Sequence, residues 1–366
     1  MKHHTLRWVL CLPIVVATGC GSIGPGTVTR DRLDYAESVG DSWKTQMLFN
    51  LVKLRYGDIP VFMDVGQVVA GYSVQRSATA NASFNTFNQG PPPNSITGVL
   101  GATAGIIYND SPTVTYTPLA GERFARTMMA TMPPTSIMNV LQSGFPVDTV
   151  FRLAVQSING IDNRRVGGGT ARTDVRSANP EFYVLLEQLD RIQNAGDLGV
   201  RVGPKGDTLT LIFRSSPSAA VNQAVRNVRS ILKLDPNATE YRIVFGTVPV
   251  DNKEIALLTR SIFQVLLDIA STIVVPDTHV TELRVWPTDA GAPGREGSIG
   301  PLIKIMHSSD RPPDAFVAIP YHGHWFSIDD RDIPSKTLFS SIMMLLTFVE
   351  TGSKDIVPVL SIPTTR

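Results

Sequence analysis

From Val68 to Asn85 the chain keeps a nearly strict period of two over 18 residues. One set of positions reads Val68, Ala70, Tyr72, Val74, Arg76, Ala78, Ala80, Ala82 and Phe84. The set between them reads Val69, Gly71, Ser73, Gln75, Ser77, Thr79, Asn81, Ser83 and Asn85. Side chains of a strand alternate between two faces, so this pattern marks extended backbone. Ordinary strands have about five or six residues, so this one is about three times the usual length. Asn88-Gln89-Gly90-Pro91-Pro92-Pro93-Asn94 ends the run, because proline cannot donate to a ladder. Alternation resumes from Ile96 to Asn109 with weaker contrast, and Thr113–Thr117 (TVTYT) reads as a further short strand. Residues 66–117 are therefore expected to form one long β-hairpin.

Such a hairpin has to be covered somewhere, and three placements stay open. It packs on its own body, it augments a neighbouring copy as an oligomer-contact arm, or it enters a membrane. Outer-membrane strands alternate apolar-out and polar-in and cross with about nine to eleven tilted residues. Open edges are not tolerated in lipid, so a single hairpin enters only as part of an oligomeric barrel. Against the membrane placement stands Arg76 in mid-strand on the apolar set, at a cost of about 2–4 kcal/mol near a bilayer midplane. No paired aromatic girdles are evident in the sequence.

The rest of the chain mixes helices and strands without regular strand-helix-strand alternation. Leu33, Val39, Trp43, Met47, Leu48, Leu51, Val52 and Leu54 recur at three- and four-residue steps, which predicts an amphipathic helix over 30–56 ending at Gly57. Trp43, Met47 and Leu51 should share its core stripe. Helices are expected over 119–132, 136–143, 147–161, 181–194, 218–232, 253–273 and 335–350. Strands are expected over 206–214, 241–248, 281–286, 301–307, 315–320 and 324–328, the last two flanking a turn at Tyr321-His322-Gly323. The fold class is α+β, with mixed and antiparallel sheets, several amphipathic helices and one long hairpin. The expected organisation is a leader over 1–19, a tether over 20–29, an N-terminal region over 30–178 and an α+β region over 179–366.

Residues 1–20 read MKHHTLRWVLCLPIVVATGC. Lys2 and Arg7 make a positive start, Trp8–Ala17 is an apolar run, and Ala17-Thr18-Gly19-Cys20 places small residues before a cysteine. That order resembles a lipoprotein signal peptide with its lipobox, although Ala17 replaces the usual Leu. Cleavage before Cys20 would remove 19 of 366 residues and move the net charge from +1 to −1. Cys11 leaves with the leader, and Cys20 is the expected lipidation site. Gly21 after it, rather than Asp, resembles lipoproteins sent to the outer membrane. The near-zero charge excludes a general nucleic-acid binder, and two cysteines exclude a disulfide scaffold or a multi-cysteine zinc site.

Walker A, dinucleotide, nucleophile-elbow, zincin and EF-hand patterns do not occur. The one polar constellation is Tyr321-His322-Gly323-His324 followed by Asp329-Asp330-Arg331-Asp332. On a continuous strand, His322 and His324 would share a face and, with Asp329, offer three ligands for a divalent ion. The competing reading makes Gly323 a turn and the aspartates the cap of the last helix. His279 and His307 stand alone in the sequence. Arg152, Arg164, Arg165, Arg172 and Arg176 form the one basic cluster, read as a solvated loop with anionic lipid or glycan as its alternative ligand.

Residues 24–65 and the segment HWFSIDDRDIPSKTLFSSIMMLLTFVE are similar to a group of uncharacterised proteobacterial lipoproteins. That resemblance implies an envelope location and no reaction, cofactor or catalytic residue. The leading expectation is a non-enzymatic, lipid-anchored protein on the periplasmic side of the outer membrane, acting as a structural or interaction component. Its partners would be the membrane, through Cys20, and either its own copies or other envelope proteins. The first alternative is an oligomeric outer-membrane pore or secretion-system subunit that contributes the hairpin. The second is a metal-dependent hydrolase at His322 and His324.

Overall fold

The computed structural model describes residues 24–69, 72–86, 96–110, 113–166, 175–203, 208–288 and 300–350. The leader, residues 20–23, Arg172 and the terminal 351–366 lie outside the described residues, whereas the rest of the expected tether, 24–29, forms the first turns of a helix. The chain divides into two compact units, Val61–Leu119 on the one hand and Met1–Pro60 with Ala120–Arg366 on the other.

Helix α1 (Gly24–Arg55) opens the described chain and runs through Gly40 without a break. Strands β1 (Met63–Val69), β2 (Tyr72–Thr86), β3 (Ile96–Asp110) and β4 (Thr113–Pro118) make up the smaller unit. Helix α2 (Gly121–Phe124), a π-helical turn Ala125–Met129, α3 (Pro134–Gln142) and α4 (Val147–Ala154) lead into β5 (Val155–Ile158), β6 (Ile161–Asp162), β7 (Arg165–Val166) and β8 (Val175–Arg176). Then come α5 (Pro180–Asn194), β9 (Leu198–Val202), β10 (Leu209–Phe213), α6 (Ala219–Leu232), β11 (Glu240–Phe245) and β12 (Glu254–Thr259). The chain continues with α7 (Ile262–Ser271), α8 (Asp277–Thr281), β13 (Met306–Ser308), β14 (Ala315–Tyr321), β15 (His324–Asp329) and α9 (Ile333–Glu350).

The class is α+β, as the mixed pattern predicts, and no sheet closes into a barrel among the described residues. The main sheet has the order β6-β5-β12-β11-β10-β9, antiparallel except for β11 beside β12. It joins residues on both sides of the 178/179 division expected from sequence, since β5 pairs with β12. Leu209, Leu211 and Phe213 alternate inward on β10, while β12 is buried at Glu254, Ile255, Ala256, Leu257 and Thr259. A strand covered on both faces shows no period of two, which is why 253–273 reads as a single helix. The structure instead breaks it into β12 and α7. Ser261 starts α7 with a capping box, its hydroxyl accepting from Gln264 N and Gln264 Oε1 accepting from Ser261 N.

Three other expectations are corrected. The 147–161 helix stops at Ala154, because Val155–Ile158 is drawn into the ladder with β12. Residues 281–286 are not a strand, and α8 ends there in a turn with Leu283 at φ 58°. Of 301–307, only Met306 and His307 pair, in β13. Within α1, Met47 and Leu51 are buried but Trp43 is 36% exposed, so the core stripe is confined to the last two turns. There α1 packs on α7 and β14.

The basic cluster is likewise not one surface. Arg164 pairs with Asp268, and Arg152 donates to the Gly300 carbonyl at 3.1 Å. Asp268 also accepts from Arg260 Nη1 at 3.1 Å, and Arg260 is 3% exposed. Burial pushes the Arg260 guanidinium down, and Asp268 opposes that shift. Arg260 further donates to the carbonyls of Arg152 and Arg164, which ties the β12–α7 junction to the end of α4. Removing one partner of such a buried pair strands the remaining charges. Asp268→Ala is therefore expected to destabilise the fold by about 3–5 kcal/mol in urea unfolding. Glu187→Ala, which breaks the exposed 2.6 Å pair with Arg191, should cost about 0.5 kcal/mol or less. Equal losses in the two variants would contradict the assignment.

Candidate functional site

Two features stand out, one in each unit. The first is the hairpin. Strands β2 and β3 form a ladder of 15 antiparallel pairs from Tyr72↔Asp110 to Thr86↔Ile96. β1 and β4 pair alongside in chain order, ending at Val69↔Thr113, so both segments share a single register. A bulge at Gly66 precedes it, between Val65 and Gln67.

Directly opposed residues lie on the same face of an antiparallel ribbon. The register therefore decides what the sequence leaves open, namely how the two alternations combine. Val74↔Tyr108, Ala78↔Ala104, Ala80↔Ala102, Ala82↔Leu100 and Phe84↔Gly98 fall on one face. Ser73↔Asn109, Thr79↔Thr103, Asn81↔Gly101 and Asn85↔Thr97 fall on the other. The two apolar sets coincide apart from Val99 and Ile107, which stand opposite Ser83 and Gln75 on the polar face, while Arg76 lies opposite Ile106 on the apolar one. Among the described residues, β2 and β3 each pair with no strand but the other, so each keeps one open edge. In the neighbouring β1–β4 segment, Met63, Val69, Val114 and Tyr116 are exposed.

The second feature lies in the larger unit, where α1 ends. Gly57 takes φ 79°, Gly57 N donates to Leu54 O at 3.2 Å, and Asp58 N donates to Lys53 O at 2.8 Å. These are the bonds of a Schellman cap, and they fix Tyr56 and Asp58 at the helix end. Tyr321, at the end of β14, donates its hydroxyl to Asp58 Oδ2. Its ring lies 5.3 Å from Tyr56 and 5.8 Å from Phe49. The β14–β15 turn has His322 at φ 48° and Gly323 at φ 80°, a two-residue turn of the primed type. This left-handed stretch takes His322 out of strand geometry.

Four histidines meet beside that turn. The Tyr56 hydroxyl and His279 Nδ1 are hydrogen-bonded at 2.8 Å. The His279 ring is 4.9 Å from His324 and 6.4 Å from His322, and His324 is 5.8 Å from His307. His307 sits opposite Phe326 in the β13–β15 ladder, on the same face as His324. The Nδ1 atoms of His307 and His324 are buried and lack a hydrogen-bond partner. His279 is 4% exposed, and burial holds its imidazole below the usual range, with His324 and Arg284 adding to the shift and Glu282 opposing it. His307 is lowered too, chiefly by burial and then by His324. Burial pushes the Tyr56 phenol up to about 12. The neighbouring Arg55 is lowered to about 10 by burial, and donates to Trp286 O at 2.6 Å and Ile273 O at 3.3 Å.

Of the expected constellation, His322 is exposed in the turn, His324 is half-buried in the cluster, and Asp329 stands at the far end of β15. Asp329 Oδ1 accepts from Arg331 N at 2.8 Å, and Asp332 accepts from Ser335 N and Oγ at the start of α9. The aspartates thus serve the turn and the cap. Among the described residues no three His, Cys, Asp or Glu side chains come together in a way that could hold a metal ion. Sequence reasoning missed Tyr56, His279 and His307. The available signal was that every histidine after His4 falls between 279 and 324. A separate open groove of about 500 Å³, lined by Asp41, Lys44, Arg311 and Phe316, contains none of them.

Comparison with family models, with curated proteins and with solved structures finds no match to this chain.

The cluster makes a signed prediction. Folded His279 and His307 resist protonation, so the unfolded state binds more protons near their ordinary value of 6.5. Their contribution is full above that value and is lost as pH falls below it. Urea midpoints are expected to drop between pH 7.5 and 5, with a slope of up to about 1.4 kcal/mol per pH unit for each histidine. His279→Gln and His307→Gln should each flatten that slope. An unchanged slope in both variants would contradict the assignment.

Proposed function

We propose that this chain is a lipid-anchored outer-membrane lipoprotein on the periplasmic side, a non-enzymatic envelope component that works by contact through its hairpin. The observation that carries the reading is the register of β2 and β3, which gathers the apolar positions of both strands on one face and leaves two ladder edges open. A face and edges of that kind call for a partner. The N-terminal order of Lys2, Arg7, apolar run, Ala17-Thr18-Gly19 and Cys20 supports the anchor, and Gly21 supports the outer membrane. The resemblance of 24–65 and of the C-terminal segment to envelope lipoproteins points the same way. No described helix is long and apolar enough to cross a membrane. A second reading, an oligomeric outer-membrane pore or secretion-system subunit, draws on the same ladder, whose 15 pairs exceed the nine to eleven residues a tilted strand needs to cross.

The test has two arms. Radiolabelled palmitate should be incorporated into the full chain and not into Cys20→Ala. Replacing 70–112 by an Asn-Gly turn closes the ribbon at Val69↔Thr113 with a favoured two-residue connection. That variant should keep the thermal midpoint of the larger unit and lose its cross-links to copies or partners in native envelopes. An unlabelled Cys20 in a soluble fraction, or cross-links that survive the replacement, would overturn the reading.

A further inference from the structure

The hairpin carries its charges at one end. Among the residues of β2 and β3, only Arg76 and Asp110 are charged, and both lie toward the β1–β4 segment. Beyond Arg76↔Ile106, ten consecutive pairs from Ser77↔Gly105 to Thr86↔Ile96 hold no charge. The whole chain is 18% charged, so twenty ordinary positions would hold about four charged residues. Soluble proteins protect exposed ladder edges with lysines, prolines and bulges. None of these occurs in the twenty positions, and the register there is unbroken.

The length fits one environment. Ten residues rise about 33 Å along a strand, and at about 40° of tilt they span about 25 Å, the height of the apolar band of outer-membrane barrels. On the apolar face of that block stand Ala78↔Ala104, Ala80↔Ala102, Ala82↔Leu100, Phe84↔Gly98 and Thr86↔Ile96. Val74↔Tyr108 and Tyr72 flank it at the charged end, and Phe84 stands ten residues from Val74 on the same face. Tyr72 and Tyr108 thus stand at the charged end, where interfacial aromatics sit, and Phe84 lies within the block near its other end. Arg76 is not at the middle of this block but just outside it, where a cation costs far less than at the bilayer midplane.

We propose that the ten pairs Ser77↔Gly105 to Thr86↔Ile96 are a membrane-crossing hairpin whose apolar face meets bilayer hydrocarbon. The open edges of β2 and β3 pair with those of neighbouring copies, and the Ser/Thr/Asn face lines a water-filled interior. Closure is obligatory, because unpaired backbone groups are not tolerated in lipid. The smallest single-chain barrels have eight strands, so at least about four copies are needed at two strands each. This inference rests on the contact reading, takes the oligomeric form of the second reading, and names bilayer hydrocarbon and neighbouring copies as what the hairpin contacts.

The test uses the full lipidated chain in vesicles of phosphatidylethanolamine and phosphatidylglycerol. Single cysteines at Ala80, Ala82, Asn81 and Ser83 carry an environment-sensitive fluorophore, with the parent chain as the control for Cys20. Nitroxide on the acyl chains should quench positions 80 and 82 about threefold or more over 81 and 83, and aqueous iodide should show the reverse. The detergent-solubilised particle should contain four or more copies. Ala80→Lys should abolish acyl-chain quenching reported from position 82, whereas Asn81→Lys should preserve it. Equal, lipid-insensitive signals on both faces would overturn the proposal, as would a monomeric particle. If labels stay in water while cross-links still depend on 70–112, this inference falls and the contact reading stands. If cross-links do not depend on 70–112, the contact reading falls as well.

Discussion

A two-stranded ribbon cannot bury its own apolar face. It has no second layer, and its twist turns the face without covering it. Strands β2 and β3 meet that constraint in a severe form, because 15 unbroken pairs bring the apolar positions of both strands together. A slip of one residue would set the apolar positions of one strand against the polar positions of the other. The β1–β4 pairs after the Gly66 bulge have the same register as β2–β3, which opposes that slip. The proposed contact role rests on how that face and those edges are satisfied.

The larger unit is stabilised by different means. Its main sheet has β12 buried on both faces, and the Arg260–Asp268–Arg164 network joins the end of that strand to α4 and α7. Near the end of α1, burial of Arg55, Tyr56, His279 and His307 makes these groups titrate away from their ordinary values. Imidazoles held neutral at close range make this corner sensitive to acid. Turn geometry keeps His322 out of the strand, and Asp329 remains at the far end of β15. The arrangement is therefore a packed proton-sensitive cluster, not the three-ligand set that the sequence offered as one option.

The hairpin was legible because one face is polar, so its period of two stands out. The β14–β15 hairpin was legible through Gly323, and α1 through its stop at Gly57. Strand β12 was not legible, because burial on both faces removes the alternation and Glu254–Thr259 then reads as helix. The short β5 was absorbed into the preceding helix for a related reason, since only pairing with β12 separates Val155 from Ala154. Sequence spacing also could not assemble the histidine cluster, which takes residues from α8, β13, β15 and the turn before it. Arg76 shows the opposite error. Counted along one strand it sits in the middle, but in register with β3 it marks the boundary of a charge-free block.

In the proposed assembly both edges of β2 and β3 are paired. In an isolated antiparallel ribbon, alternate amides point outward and have no ladder partner. Residue-resolved hydrogen exchange of the full chain in bilayers distinguishes the two states. If the edges are paired, every amide from Ser77 to Thr86 and from Ile96 to Gly105 is protected, including those directed away from the partner strand. Fast exchange at every second residue along both strands would contradict it.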